Sequence, residues 1–421
     1  MRNPTRRSLG LSLLLAALAL APASAEPPAA DVTALRNEYR QLSEYLRKRN
    51  GLSDEDRREA ARLGARTLAA LEANPTDPAL VAMAVQLATW SESEADLDAA
   101  YARALAIRAD NDVALSQWLT SLVRRGQAER ALDEAASRIP DLMAMPRSAT
   151  SVAEAYLALN RFDEASAMLA ALGESASRRE LAIRTKPMLL RLAELETRWA
   201  KEYAQRFRDA ERGDNPTVVL TTSRGPITLE LFEEQAPATV GAFVEFVEGG
   251  LYDGTRFHRF VPGVGLFGGD PNTKPGATGR AGTGTAGFRL PDESRRSDRR
   301  DAFGGSVVML KTPDPNRPGR MQENGASCSF AILIEPAEHL NDEFTVVGRV
   351  VDGLDLLGEV RAGDELLAAR VLAKRGRDYR AVRMPELPIT GEFDLARPAS
   401  QSSSGEVSRF NAPGVAPAAK P

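Results

Sequence analysis

Cysteine and histidine are nearly missing from this 421-residue chain: Cys328 is the sole cysteine, and His258 and His339 are the sole histidines. A single cysteine excludes an intramolecular disulfide. One cysteine and two histidines are also too few for a Cys/His zinc site. Cys328 lies at the start of an apolar run, Ser327-Cys328-Ser329-Phe330, which suits a buried thiol rather than a reactive one. No excess of basic charge is present. The formal net charge is −4, which argues against general nucleic-acid binding. There is no G-K-[ST] phosphate loop. Two segments, Gly263-x-Gly265-x-x-Gly268 and Gly282-x-Gly284-x-x-Gly287, satisfy G-x-G-x-x-G. Pro271 and Pro291 follow them closely, so neither opens a helix and neither suits a dinucleotide. No cofactor and no metal are expected. No apolar run approaches the roughly 20 residues needed to cross a bilayer.

What is present begins with an export-type leader over residues 1–25. Arg2, Arg6 and Arg7 precede an apolar stretch from Leu9 to Leu20, and Ala23-Ser24-Ala25 offers a small-residue cleavage site. Thr5-Arg6-Arg7-Ser8-Leu9 also resembles a twin-arginine signal, so both export routes stay open. The expected location is the periplasm or cell envelope of a bacterium, with no membrane span after cleavage.

Residues 34–212 are rich in alanine and leucine at helical spacing. Leu63, Leu97, Ala131 and Ala165 fall 34 residues apart. That period resembles the tetratricopeptide repeat, in which pairs of amphipathic helices stack to bury their apolar faces. Arg125-Gly126-Gln127 and Asn160-Arg161-Phe162 are expected as the turns within two such pairs. Pro187 is expected to break the pattern, and Met188 to Glu211 to form a capping helix with Leu189, Leu192, Leu195 and Trp199 on its packed face. A solenoid of this kind can present a concave surface to a protein partner, or it can be a spacer.

From Thr217 the period changes to that of strands. Strands are expected at 217–222, 227–231, 307–310, 330–334, 344–350 and 366–373. Pro237 opens a helix with Val240, Phe243, Val244 and Val247 on one face, and a short helix is expected at 354–360. Many short strands with two helices suggest a closed antiparallel β-barrel with capping helices over 215–385. Arg295, Arg296, Arg299 and Arg300 read as a solvated loop, and 311–324 as a long proline-rich loop. The tail, 388–421, is rich in Pro, Ser, Gly and Ala and is expected to be disordered. The fold expectation is therefore multidomain: an all-α repeat region followed by a β-barrel.

The most informative stretch is Leu251 to Asp270, LYDGTRFHRFVPGVGLFGGD. Phe257-His258-Arg259 before a Pro262-Gly263 turn resembles the central motif of the cyclophilins, and the resemblance extends from Thr217 to Arg380. It implies prolyl cis-trans isomerisation with Arg259 as the catalytic residue. The chemistry suits the side chain. Amide resonance sets a barrier of roughly 20 kcal/mol to rotation about a prolyl bond. A catalyst must favour the twisted amide, using an apolar grip on the ring and a fixed donor aimed at it. Arginine supplies a permanent charge and a planar fork of donors.

The resemblance also implies which residues line the proline pocket, and here the chain departs from the family. Val264 and Gly265 stand where phenylalanine and methionine are usual. Phe267 replaces the glutamine that steadies the arginine. Ser329 replaces a second glutamine, Ala331 the phenylalanine of the pocket floor, and His339 a tryptophan or phenylalanine. Leu310 occupies a position that is normally small. Phe257, Leu340 and Phe344 remain as apolar walls. The pocket is thus expected to be rebuilt or filled. Two functions follow: an isomerase of weakened activity acting on proline-containing segments of exported proteins, or a non-catalytic peptide- or protein-binding module.

Overall fold

The structure is a computed structural model that describes residues 32–386, apart from 49–51, 75–76, 92, 140, 176–178 and 318. The leader at 1–25 and the tail at 388–421 lie outside the described residues. The chain divides into two compact units, one ending at Ala109 and the other beginning at Asp110.

Among the described residues the first unit holds four helices: α1 (Val32–Leu46), α2 (Asp54–Ala73), α3 (Pro78–Ser91) and α4 (Glu94–Ile107). Ser53 caps α2 in a reciprocal box. Its hydroxyl accepts from the Asp56 N–H, and the Asp56 carboxylate accepts from the Ser53 N–H. Leu35, Leu63, Leu71, Leu80 and Leu87 form the core of this unit.

The second unit begins with α5 (Asp112–Arg124), α6 (Ala128–Arg138), α7 (Pro146–Ala158), α8 (Phe162–Ser175) and α9 (Arg179–Arg212). The 34-residue period falls on α2, α4, α6 and α8. Leu63, Ala131 and Ala165 are buried there, and Leu97 is half-buried. The turns at Gly126 and Asn160 both use the left-handed backbone, at φ 80° and 59°. Both turns also bond to connections between the strands that follow. The Gln127 side-chain amide donates to the Gly358 carbonyl (2.9 Å), and Asn160 exchanges two 3.0 Å bonds with the Gly304 backbone.

Helix α9 departs from expectation. Pro187 does not end it, and the helix runs 34 residues through that proline. A proline inside a helix removes one backbone bond and crowds the preceding turn. Here Met188, Leu192, Leu195 and Trp199 pack against Phe162, Leu169, Leu172 and Phe303, which offsets that cost. Leu189, expected on the packed face, is exposed. The helix also holds the 3-10 turn Glu338–Leu340 and the loop before it. Arg191 donates to both oxygens of Glu338 and to the Pro336 carbonyl.

Among the described residues nine antiparallel strands form one sheet, in the order β3-β9-β1-β2-β8-β6-β7-β5-β4. They are β1 (Thr217–Thr222), β2 (Gly225–Leu231), β3 (Thr255–Arg256), β4 (Arg259–Val261), β5 (Gly265–Gly268), β6 (Ser306–Pro313), β7 (Met321–Leu333), β8 (Val346–Asp352) and β9 (Glu365–Ala373). Helix α10 (Pro237–Glu248) buries Val240, Phe243, Val244 and Val247 against one face, as its spacing predicts. Among the described residues no ladder joins β3 to β4. The sheet is a half-barrel in its pairing, with Phe257 and His258 bridging its two edges.

Several expectations need correction. Strands β3 to β5 are two to four residues long, too short to show an alternating pattern. The proline-rich loop is shorter than expected, because β6 runs to Pro313 and β7 starts at Met321. The helix expected at 354–360 is a 3-10 turn, Asp355–Gly358. Arg300 is not solvated. It is 3% exposed, bonded to Glu202 (2.7 and 2.8 Å) and Asp209 (2.5 Å) of α9, with its guanidinium 3.7 Å above the Phe232 ring.

Candidate functional site

Arg259 is the first residue of β4, and the ladder register decides what it meets. It pairs with Phe267 on β5, Phe267 with Ala331 on β7, Ala331 with Val308 on β6, and Val308 with Val346 on β8. Side chains alternate faces along a strand, so this row shares one face of the sheet. The neighbouring residues Leu266, Phe330, Ile332, Val307, Met309 and Val347 belong to the core on the other face.

The structure brings together most of the residues expected around Arg259. Phe267, Leu310, Ala331, Leu340 and Phe344 join one apolar cluster with Phe232, Ala302, Val308, Met321, Leu333 and Val346, and Val264 packs against it half-buried. Ser329 lies two residues before Ala331 on β7 and so projects to the same face. It is fully buried, and its hydroxyl has no hydrogen-bond partner. His339 sits half-buried in the 3-10 turn Glu338–Leu340, beside Leu340.

Phe257 is a correction. Its side chain is fully buried in the opposite core, with Phe243, Tyr252 and Phe330, and so cannot serve as a wall on the Arg259 face. Val308, Val346 and Phe232 belong to the cluster but were not foreseen. The alternation Val308-x-Leu310 could have signalled the first of them.

The cluster is sealed. Phe267, Leu340 and Phe344 are each 1% exposed, and Leu310 and Ala331 are 0% exposed. Side chains that a water molecule cannot touch offer no surface to a proline ring. Leu310 and Phe267 supply the bulk on this face, while Ala331 leaves room for it. Glycine at 265 has its own cause. The backbone there has φ +155°, and a Cβ would collide with the Ile332 carbonyl. A methionine would not fit this backbone.

The Arg259 guanidinium lies over the Phe267 ring, 5.2 Å from its centre. His258 meets the same ring edge-on at 6.4 Å. The turn after β4 rests on α5, since the Gly263 N–H donates to the Arg124 carbonyl (2.7 Å). Beside that turn, burial pushes the Glu335 carboxyl up to about 7, against the pull of Arg191 and Arg124. Glu338 shows the opposite balance: burial raises it, but the Arg191 hydrogen bond and charge bring it below the ordinary carboxylate value. Burial and the nearby Asp270 charge hold the Cys328 thiol at about 12, so it is unreactive. Among the described residues no group of three or more His, Cys, Asp or Glu could hold a metal ion.

This arrangement can present a fixed cationic donor at the edge of an apolar, water-free patch.

Comparison with known proteins agrees with the motif. The family described as "Cyclophilin type peptidyl-prolyl cis-trans isomerase/CLD" matches residues 217–374. A probable peptidyl-prolyl cis-trans isomerase of Brucella suis is 32% identical over 152 residues, covering 35% of this chain and 73% of that protein. A peptidyl-prolyl cis-trans isomerase of Schizosaccharomyces pombe is 36% identical over 139 residues, covering 33% of this chain and 81% of that protein. A mouse protein named peptidyl-prolyl cis-trans isomerase-like 1 is 33% identical over 146 residues, covering 34% and 79%. With the Arg259 motif, the antiparallel sheet and these matches together, the chain belongs to the cyclophilin-type peptidyl-prolyl cis-trans isomerase family.

Proposed function

We propose that the protein isomerises prolyl peptide bonds in exported proteins, at a rate lowered by a closed proline pocket. Arg259 is the donor that favours the twisted amide. The observation that carries this reading is the contrast between a half-buried Arg259 and the sealed side chains beside it: Phe267, Leu310, Ala331, Leu340 and Phe344. Turnover then requires Leu310 or Phe267 to move aside. A misplaced or occluded catalytic geometry costs about 10²-fold in rate.

The rest of the reading follows from the sequence. The leader at 1–25 directs the chain to the periplasm or envelope. The sheet is read as part of a closed barrel. The helices are tetratricopeptide-like repeats that can recruit a protein partner. No helix among the described residues is long and apolar enough to cross a membrane.

The same sealed cluster supports a second reading, a non-catalytic module that binds peptides or proteins. The two separate in one assay. The full chain is compared with Arg259→Ala for isomerisation of a short Xaa-Pro peptide. The isomerase reading expects a rate above background that falls at least tenfold in the variant. Equal rates for the two proteins at high enzyme concentration would leave the binding module.

A further inference from the structure

Helix α9 carries two apolar stripes. Met188, Leu192, Leu195 and Trp199 form the first, which packs against the chain's own core. The second lies one residue further along, at Leu189, Ala193, Glu196, Ala200, Tyr203 and Phe207, with steps of four, three, four, three and four. Steps of that kind keep side chains in one straight seam, as in a coiled coil. In the single chain this seam is uncovered. Leu189 is 39% exposed, Tyr203 64% and Phe207 61%, and Ala193 and Ala200 are exposed as well. Glu196, half-buried, is the one acid in it.

We propose that this seam docks a second copy of the chain, whose α9 lies along it antiparallel, about a two-fold axis level with Arg198. A two-fold interface sets one patch against itself, so the patch must complement its own reversal. Reversed about residue 198, Leu189 falls opposite Phe207 of the second copy, Ala193 opposite Tyr203, and Glu196 opposite Ala200. The inner layers thus set a large side chain against alanine, and the outer layers join leucine to phenylalanine. The exposed flanking charges agree with the same register. Lys186 comes level, within one residue, with Glu211 of the second copy, and Glu194 with Lys201. A parallel pairing would instead set Phe207 against Phe207, Ala193 against Ala193 and each of these charges against its like. Eighteen residue steps separate Leu189 from Phe207, about 27 Å of helix. One helix pair of that length covers less than the roughly 800 Å² per partner of a standard interface, so the dimer is expected at tens of micromolar. The proposal goes beyond the isomerase reading and needs neither Arg259 nor turnover.

The test is sedimentation velocity of the full chain, from about 1 to 200 µM to bracket a weak interface. A reversible monomer–dimer transition is expected within that range. Ala200→Glu sets a second acid opposite Glu196 at an exposed helix position that tolerates it. It should weaken the dimer at least tenfold, with thermal unfolding unchanged. Glu196→Leu removes the acid from the seam and should tighten the dimer roughly tenfold. Disulfide cross-linking reads the register, and Cys328 does not compete because it is buried. A mixture of Ala193→Cys and Tyr203→Cys should cross-link. Neither variant should do so alone, because like positions then lie about 15 Å apart along the axis. A chain that stays monomeric at about 200 µM would overturn the proposal and leave the seam to an unlike partner. So would a dimer indifferent to Ala200→Glu, or one in which Ala193→Cys cross-links to itself.

Discussion

The two faces of the sheet are packed to different ends. On the face covered by α10, Phe330, Phe243 and Tyr252 meet with ring centres 5.2 to 5.7 Å apart, an aromatic core that needs no opening. On the other face, Ala331 follows Phe330 in the same strand, and the space it leaves is taken by the cluster that includes Leu310 and Phe267. The first face is a core by design of any such sheet. The second face carries Arg259, and under the proposed isomerase reading a working site there needs accessible apolar surface. On that reading, keeping the donor and keeping the pocket are separate requirements, met by different residues.

The comparison can be broken from either side. The largest effect belongs to the first face: Phe330→Ala should destabilise the protein by about 3–5 kcal/mol. Thermal unfolding would show it, and a loss below 1 kcal/mol would mean that this core is not continuous. Arg300→Ala should cost a similar amount, about 3–5 kcal/mol, because it leaves Glu202 and Asp209 buried without their shared partner. Arg300 lies over Phe232, a member of the second cluster, so this variant should also loosen the Arg259 face. Replacing Arg300 without loss of stability would detach α9 from that account.

A smaller effect depends on pH. Glu335 has an ordinary value of 4.5 and stands at about 7 in the folded chain, where burial outweighs the attraction of Arg191 and Arg124, and Glu154 and Glu338 add repulsion. The folded form therefore holds this proton more tightly than the unfolded chain. Stability from this group is full below about pH 4.5 and is lost as pH rises through about 7. Glu335→Gln should be more stable than the wild type by roughly 1–3 kcal/mol at pH 8 and equal to it near pH 4.5. Parallel stability curves for the two proteins would contradict this.

Much of this was legible in the sequence, for local reasons. Val240, Phe243, Val244 and Val247 announce one helix face by spacing, and all four are buried. The Arg259 motif is contiguous, so it survives in any single chain. The even-numbered helices of the repeat region follow a fixed period. What was hidden depended on partners distant in sequence. Arg300 reads as one more charge in SRRSDRR until Glu202 and Asp209, more than 90 residues earlier, fold over it. Phe257 belongs with the motif in sequence, yet its strand parity sends it to the opposite core. Pro187 signals a helix break locally, but the packed face of α9 overrides it.

Under the proposed isomerase reading, bulk on the Arg259 face, and not the absence of a donor, limits catalysis. The most direct measurement is the prolyl isomerisation rate of full-length Leu310→Ala beside the wild type, with Arg259→Ala added to each. Removing Leu310 should cost about 2–5 kcal/mol of stability. If the account holds, the folded variant should nonetheless turn over Xaa-Pro peptide several-fold faster than the wild type, and the gain should vanish with Arg259→Ala. A folded Leu310→Ala protein with an unchanged rate, or a gain that persists without Arg259, would contradict it.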